Sequence, residues 1–173
     1  MKPTIFMIVA LFALAGTAAA EEIVVQMNLI NDQGMGAAIG TVTLTDTPQG
    51  LKLVPVLSGL APGIHGFHVH EKPDCAAGMK DGKPAPGLAA GGHFDPAGIG
   101  KHEGPSGKGH LGDLPALKVG ADGKATEAMA APRLKTGDVK GRSLMIHAGG
   151  DNYSDVPEKL GGGGGRVACG IIK

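Results

Sequence analysis

Short segments in which apolar and polar residues alternate lie at both ends of the chain, and they predict β-strands. The alternation has a period of two residues, which is the period with which side chains change direction along a strand. Pro55 places one segment at a sheet edge or a bulge, because proline lacks the amide hydrogen that a central strand donates. The predicted strands cover residues 22–29, 39–44, 51–57, 64–71, 114–119, 124–130, 143–148 and 166–172.

Two long segments interrupt this pattern, residues 72–113 and residues 149–165. The first is rich in Gly, Pro, Lys and Asp and has almost no periodicity, and the second ends in a run of glycines. A structureless loop of such length is uncommon in a compact domain unless function, a metal or a cross-link organises it. About eight short strands with two long loops predict an all-β fold, an antiparallel Greek-key β-sandwich or flattened barrel.

The first twenty residues have the three parts of a secretory signal peptide. Lys2 supplies the positive start, residues 5–15 form an apolar run, and residues 18–20 are the small residues of a cleavage site. The run is too short for a transmembrane anchor, and no other apolar segment approaches the roughly 20 residues that span a bilayer. We therefore expect a leader at residues 1–20 and one secreted domain at residues 21–173.

The charges of the chain are balanced, with 16 basic and 16 acidic residues. This balance provides no bulk attraction to nucleic acid or another polyanion, so any electrostatic effect has to be local. Cys75 and Cys169 are the two cysteines. In an oxidising compartment an even number favours one disulfide, and two thiolate metal ligands are the alternative.

All seven histidines lie between positions 65 and 147, and six of them have spacings typical of metal ligands. His68 and His70 point to one face of a strand because side chains alternate there, and His147 on another strand is the candidate third ligand. Three imidazoles and a carboxylate suit tetrahedral structural zinc, whereas an imidazole-rich site with an open position suits copper. The zinc-like set in the first long loop consists of His93, His102, His110 and Asp113.

Each of these histidines also has an interpretation without a metal. His68 and His70 would then be hydrogen-bonded strand histidines, and the loop histidines would be exposed titrating groups. His65 stands outside both sets and is expected to be a structural hydrogen-bonding residue. The joint occurrence of both sets with a long loop favours two metals.

Six motifs resemble, in their order, those of the copper,zinc superoxide dismutase family. They are residues 66–70 (GFHVH), 91–96 (GGHFDP), 101–105 (KHEGP), 109–115 (GHLGDLP), 145–151 (MIHAGGD) and 165–170 (GRVACG). The resemblance covers nearly all of residues 21–173, and the leader with the Gly-Gly-Asp-Asn run is similar to the bacterial periplasmic branch. This family has the β-sandwich architecture, so the resemblance implies the fold as well.

The resemblance implies a superoxide dismutase, an oxidoreductase that converts superoxide to dioxygen and hydrogen peroxide by copper redox cycling. Its copper ligands would be His68, His70, His93 and His147, and its zinc ligands would be His93, His102, His110 and Asp113. His93 would bridge the metals, leave copper on reduction and deliver a proton to the product. Zinc would orient His93 and tune its basicity.

The resemblance also assigns residues around the metals. Arg166 matches a catalytic arginine that guides the anion, Asp151 matches an outer carboxylate that links the two ligand sets, and Cys75 with Cys169 matches the family's disulfide. Without the resemblance, Arg166 is equally well explained as a surface arginine and Asp151 as a turn former. Lys159 either adds to the positive field or is an ordinary exposed lysine.

The expected partner is superoxide, with no nucleic acid and, after leader cleavage, no membrane. The protein is expected in the periplasm as a monomer or a homodimer. Two other classes compete with the enzyme: a secreted protein that buffers or delivers copper or zinc, and an adhesion β-sandwich with one disulfide. The first has no need of an anion guide, and the second leaves the histidines unexplained.

Overall fold

The computed structural model describes residues 21–173, so the predicted leader at residues 1–20 lies outside the described residues. Within this range strands predominate, and the α-helix α1 (Thr136–Val139) is a single turn. Short 3₁₀ helices lie at Leu88–Ala90 and Lys159–Gly162. The strands are β1 (Glu22–Asn31), β2 (Gly34–Thr47), β3 (Gly50–Leu57), β4 (Gly63–His65), β5 (Phe67–His70), β6 (Gly78–Lys80), β7 (Lys83–Ala85), β8 (Leu117–Val119), β9 (Met129–Ala131), β10 (Arg142–His147) and β11 (Arg166–Ile172).

A seven-stranded antiparallel sheet forms the body of the fold, in the order β5-β10-β11-β1-β2-β3-β9. The first and last strands of the chain, β1 and β11, are therefore neighbours in the sheet. The order of the strands in the sheet differs from their order in the chain. One continuous cluster of buried side chains draws on most of these strands and on β8, for example Val25, Val42, Leu53, Val69 and Leu144. A single sheet encloses one core only if it curls, which confirms the all-β flattened-barrel or sandwich prediction.

Three predicted strands differ from those observed. The segment 114–119 is a strand only over β8, from Leu117 to Val119. The segment 64–71 is divided at Gly66, whose backbone N–H and C=O bond to Gly149 and His147 and so leave the line of β4 and β5. Of the segment 124–130, only an isolated bridge at Ala125 and the start of β9 pair as strand.

The first long loop is held against β5 by a ladder of backbone hydrogen bonds. Phe94 N–H donates to the Val69 carbonyl at 2.8 Å, Val69 N–H donates to Gly112 at 2.9 Å, and Gly112 N–H donates to Phe94 at 2.8 Å. Isolated antiparallel bridges consequently pair His70 with His93 and His68 with Asp113. The backbone thus brings the two predicted ligand sets side by side.

The disulfide is formed between Cys75 and Cys169, with Cα atoms 5.8 Å apart, so the thiolate-ligand alternative is wrong. It joins the first long loop to β11. The loop is also more regular than predicted, because β6 and β7 form a hairpin within it. Among residues 21–173 no helix is long and apolar enough to cross a membrane.

Candidate metal centre

Strand alternation places three imidazoles on one inner surface. His68 and His70 are the second and fourth residues of β5, and His147 ends β10, which pairs with β5. Nε2 of His70 lies 3.4 Å from Nε2 of His147, and the His68 ring stacks on the His93 ring with centroids 3.9 Å apart. One ligand atom from each of these four buried histidines lies within 4.8 Å of the others.

The Asp113 carboxylate is the centre of a second group. Its Oδ1 lies 3.0 Å from Nδ1 of His93 and 3.4 Å from Nδ1 of His110, and its Oδ2 lies 3.0 Å from Nδ1 of His102. All four residues are buried. The imidazole of His93 belongs to both groups, with Nδ1 beside Asp113 and Nε2 directed away from it.

Unpartnered ring nitrogens test whether these residues fit metal ions. Among the described residues, four buried histidine nitrogens have no hydrogen-bond partner: His68 Nδ1, His93 Nε2, His102 Nδ1 and His110 Nδ1. A buried polar atom without a partner costs about 1–3 kcal/mol, so leaving four in one place requires a compensating ligand. Imidazole and carboxylate donors in this number suit copper and zinc, and the site therefore fits both metals.

Judged by distance alone, the second group could also consist of His93, His102, Asp113 and His68, with His68 replacing His110. The hydrogen bonds favour His110 as the fourth member. Nε2 of His68 is already bonded to Asp151 at 2.8 Å, and its free Nδ1 belongs with the first group. His110 keeps a buried Nδ1 free beside Asp113.

Burial prepares the first group to bind a cation. It lowers the pKa of His68 to about 3 and that of His147 to about 4, and in both cases the neighbouring His93 adds to the effect. The pKa of His70 is lowered by burial and then by the nearby Arg166 charge. These imidazoles are therefore neutral at physiological pH and present lone pairs.

Asp151 links the two groups. Its Oδ2 accepts a hydrogen bond from His68 Nε2 at 2.8 Å, and its Oδ1 accepts one from His102 Nε2 at 2.7 Å. Burial lowers the pKa of His102, but the adjacent carboxylates of Asp113 and Asp151 outweigh burial and raise that pKa to about 9. The hydrogen bonds from His102 and His68 hold the pKa of Asp151 well below its usual range, although burial acts in the opposite direction. Asp151 is thus an ionised bridge between imidazoles.

The glycine run of the second long loop packs directly on this bridge. Gly161 has a φ of +70°, and a Cβ there would lie 2.1 Å from Asp151 Oδ1 and 2.9 Å from His102 Nε2. Only glycine permits both this backbone conformation and this close approach.

Comparison with known proteins agrees with this geometry. The family model for copper/zinc superoxide dismutase (SODC) matches residues 38–172. The superoxide dismutase [Cu-Zn] of Escherichia coli K12 is 56% identical over 174 residues, which cover 100% of both chains. The structure of the Cu/Zn superoxide dismutase from Brucella abortus superposes with a TM-score of 0.87 at 54% identity, over 88% of this chain and 100% of that one.

The chain belongs to the copper/zinc superoxide dismutase family. The resemblance found in the sequence is thereby confirmed, together with the oxidoreductase class and the two metals. A further relative of known structure, the monomeric copper, zinc superoxide dismutase from Salmonella enterica, is 55% identical with a TM-score of 0.79, over 90% of this chain and 100% of that chain.

A cleft of about 260 Å³ leads to the first group of this dismutase-family chain. His93, His147 and Arg166 line it, and Lys80 adds a second cation. Arg166 donates to the carbonyls of Gly87 and Gly91, and the Gly91 carbonyl also accepts from His70 Nδ1 at 3.0 Å. The guanidinium is therefore fixed relative to the imidazole of His70, a member of the first group. Lys159, a candidate from the sequence for added positive charge, is not among the described residues that line the cleft. Lys80 does line it, although nothing in the sequence pattern had indicated this residue.

One further residue of the site, Arg133, has no sequence signal. Arg133 donates hydrogen bonds to four carbonyls of the first long loop, those of Gly104, Pro105, Gly109 and His110. These bonds hold together residues 102–110, the segment that begins and ends with two members of the second group. The position of Arg133 after Ala-Pro in an unremarkable segment gives no indication of this. His65, in contrast, meets expectation, because its ring nitrogens face the carbonyls of His147 and Ala61 at 2.7 and 2.8 Å.

Proposed function

We propose that the chain removes superoxide at a copper site formed by four histidines, beside a zinc site that shares one of them. The copper ligands are His68, His70, His93 and His147, and the zinc ligands are His93, His102, His110 and Asp113. The chemistry supplied by bound copper is one-electron transfer, which oxidises one superoxide to dioxygen and reduces a second to hydrogen peroxide with uptake of two protons.

The position of His93 carries this proposal. Its Nδ1 lies 3.0 Å from Asp113, its Nε2 is buried without a partner, and its side chain lines the cleft. The Asp113 carboxylate beside Nδ1 holds the ring in one orientation, and zinc bound by this group would keep it there. His93 can therefore hold a proton at Nε2 and release it to a product in the cleft.

Arg166 and Lys80 bring the anion to the site. Two carbonyl acceptors keep the Arg166 guanidinium at the cleft wall, and Lys80 contributes a second positive charge there. A cleft lined by one sign of charge raises the encounter rate with a small anion. This arrangement favours the enzyme over a protein that only stores metal.

The test loads the mature protein with copper and zinc and measures superoxide removal together with metal content. We expect catalytic removal that requires copper. Full copper occupancy without activity would refute the proposal in favour of metal buffering or delivery.

Replacing Arg166 with alanine is expected to lower kcat/KM by roughly tenfold and to flatten its dependence on salt, because a fixed steering charge is lost. Metal content should not change. The matched control is Lys52→Ala, which removes the same charge from β3, three strands away from β11 in the sheet. The measurement is pulse radiolysis or stopped flow at several ionic strengths. A loss of copper in place of these effects would make Arg166 structural.

We also infer that the protein works in the periplasm, which rests on the leader-like residues 1–20 and on relatives from Gram-negative bacteria. The single domain is assigned to residues 21–173. The Salmonella enterica relative is monomeric, and we propose the same state or a homodimer for this chain. Cell fractionation and sedimentation of the mature protein test these assignments.

A further inference from the structure

Tyr153 lies two residues after Asp151 and has an unusual conformation. Its φ of 57° lies in the left-handed region, which non-glycine residues rarely adopt and which persists only where surrounding contacts hold it. The residue is 40% exposed, so burial alone does not hold it.

Two contacts hold the Tyr153 side chain against residues 102–116, the segment that carries His102, His110 and Asp113. Its hydroxyl accepts a hydrogen bond from Ala116 N–H at 2.9 Å, three residues beyond Asp113. Its ring packs on Gly104, where an added Cβ would lie only 2.7 Å from the ring carbon Cγ. Gly104 lies between His102 and His110 along the chain. The tyrosine thus connects the second long loop to both ends of this segment.

The backbone of Tyr153 acts on Asp151. Its N–H donates to Asp151 Oδ1 at 2.8 Å, and this oxygen is the one that accepts from His102 Nε2. The other oxygen accepts from His68. This third bond to Asp151 therefore comes from a residue whose side chain is held by the contacts with Ala116 and Gly104.

We propose that Tyr153 is a positioning residue: by docking on Gly104 and Ala116 it orients Asp151, and through Asp151 it sets the imidazoles of His68 and His102. The inference rests on the ligand assignment of the proposed function. Outer partners of ligating histidines typically change metal affinity 10–100-fold when they are removed. Tyr153 acts one step further out, so its effect belongs at the lower end of this range.

The test compares Tyr153→Ala and Tyr153→Phe with a control in the same loop, Val156→Ala, whose side chain is 72% exposed. Readouts are the zinc dissociation constant from chelator competition and the electron paramagnetic resonance spectrum of bound copper(II). We expect Tyr153→Ala to weaken zinc by about tenfold and to shift the copper spectrum. Tyr153→Phe keeps the ring contact and loses only the hydroxyl bond, so its effect should be smaller. Unchanged zinc affinity and spectrum in Tyr153→Ala would overturn the proposal.

A second variant, at Gly104, tests the same contact between this glycine and the Tyr153 ring. Gly104→Ala introduces a Cβ against the ring, and its cost should shrink when Tyr153 is alanine, because the strain of the backbone at a φ of +70° is common to both backgrounds. Strictly additive effects on zinc affinity would contradict a direct contact. If Tyr153→Ala fails to fold, Tyr153→Leu, which also removes the ring, takes its place in this cycle.

The sequence offers a direct probe, because Tyr153 is the one tyrosine and there is no tryptophan. Coupling between sites is reciprocal, so zinc has to stabilise the docked tyrosine if the tyrosine stabilises zinc. Tyrosine fluorescence anisotropy should therefore rise when zinc alone is added to the metal-free protein, and an unchanged value would refute the coupling. A loaded protein without dismutase activity would refute the proposed function while leaving these zinc and fluorescence results to decide the role of Tyr153.

Discussion

Replacing His93 with alanine is expected to lower kcat/KM for superoxide by about 10²-fold or more, the usual contribution of a positioned proton donor. His93 is the one imidazole that belongs to both ligand groups, with Nδ1 beside Asp113 and Nε2 free on the side of the cleft. Under the proposed assignment, its loss removes a ligand from each metal and also the proton carrier. The neighbouring imidazoles would be ligands as well, so none of them would be free to replace it.

The measurement compares rates per bound copper, with both metals quantified. His102→Ala is the matched variant, because it removes an imidazole of the proposed zinc group and leaves the four proposed copper ligands in place. We expect His102→Ala chiefly to release zinc and to loosen the first long loop, and His93→Ala to weaken both metals and to slow turnover of the copper that remains. Equal turnover per copper in His93→Ala and wild type would contradict the proton-carrier role. Equal loss of both metals in His102→Ala would contradict the division of ligands.

Strand periodicity predicted the sheet well where one face is buried and one is not. In β1 the exposed and buried positions alternate from Glu22 to Met27, so the sequence pattern and the structure agree. The prediction failed where the chain pairs through isolated contacts: Gly66 leaves the line of its strand to bond with the segment after β10. Such tertiary pairing has no local pattern in the sequence.

Candidate metal ligands could be predicted from the sequence because six of the seven histidines have spacings typical of such ligands. The structure brings them together in buried groups, and their assignment to copper and zinc stays a prediction. Residues that hold these side chains in place could not be predicted, since they act through the backbone. Arg133 bonds to four carbonyls, whose positions depend on the folded loop, and Tyr153 acts through its N–H in a left-handed conformation. Asp151 was found only through the family resemblance, although its carboxylate proves to touch both ligand groups.

Both long loops thus contribute residues to one centre. The first supplies His93, His102, His110 and Asp113 and is held by the ladder to β5 and by Arg133. The second supplies Asp151 and lies over the ligands through its glycines. The disulfide fastens the start of the first loop to β11, the strand that carries Arg166, and this links the stability of the loop to the position of the Arg166 guanidinium.

Replacing Cys75 and Cys169 together with alanine is expected to lower the free energy of unfolding of the metal-free protein by roughly 4–5 kcal/mol. This follows from the sequence separation of 94 residues, because the cross-link restricts the unfolded chain more as the closed loop lengthens. Such a loss is a large part of the 5–15 kcal/mol typical of a domain, so the variant should unfold at much lower denaturant. Alanine is chosen because both cysteines are buried and a serine hydroxyl would add a cost of its own.

The same variant should lose more activity than stability alone explains. Gly87 and Gly91, the acceptors that fix Arg166, follow Cys75 in the loop that the disulfide ties down, and Cys169 stands three residues after Arg166. Freed from this cross-link, the carbonyls should hold the guanidinium less firmly, so kcat/KM and its salt dependence should fall at temperatures where the variant is fully folded. Denaturant titration and rate measurements check both effects, with Ala76→Ser as a control that changes the neighbouring exposed residue and keeps the disulfide. A stability loss below about 1 kcal/mol would show that metal-free loop contacts, and not the cross-link, hold this part of the fold.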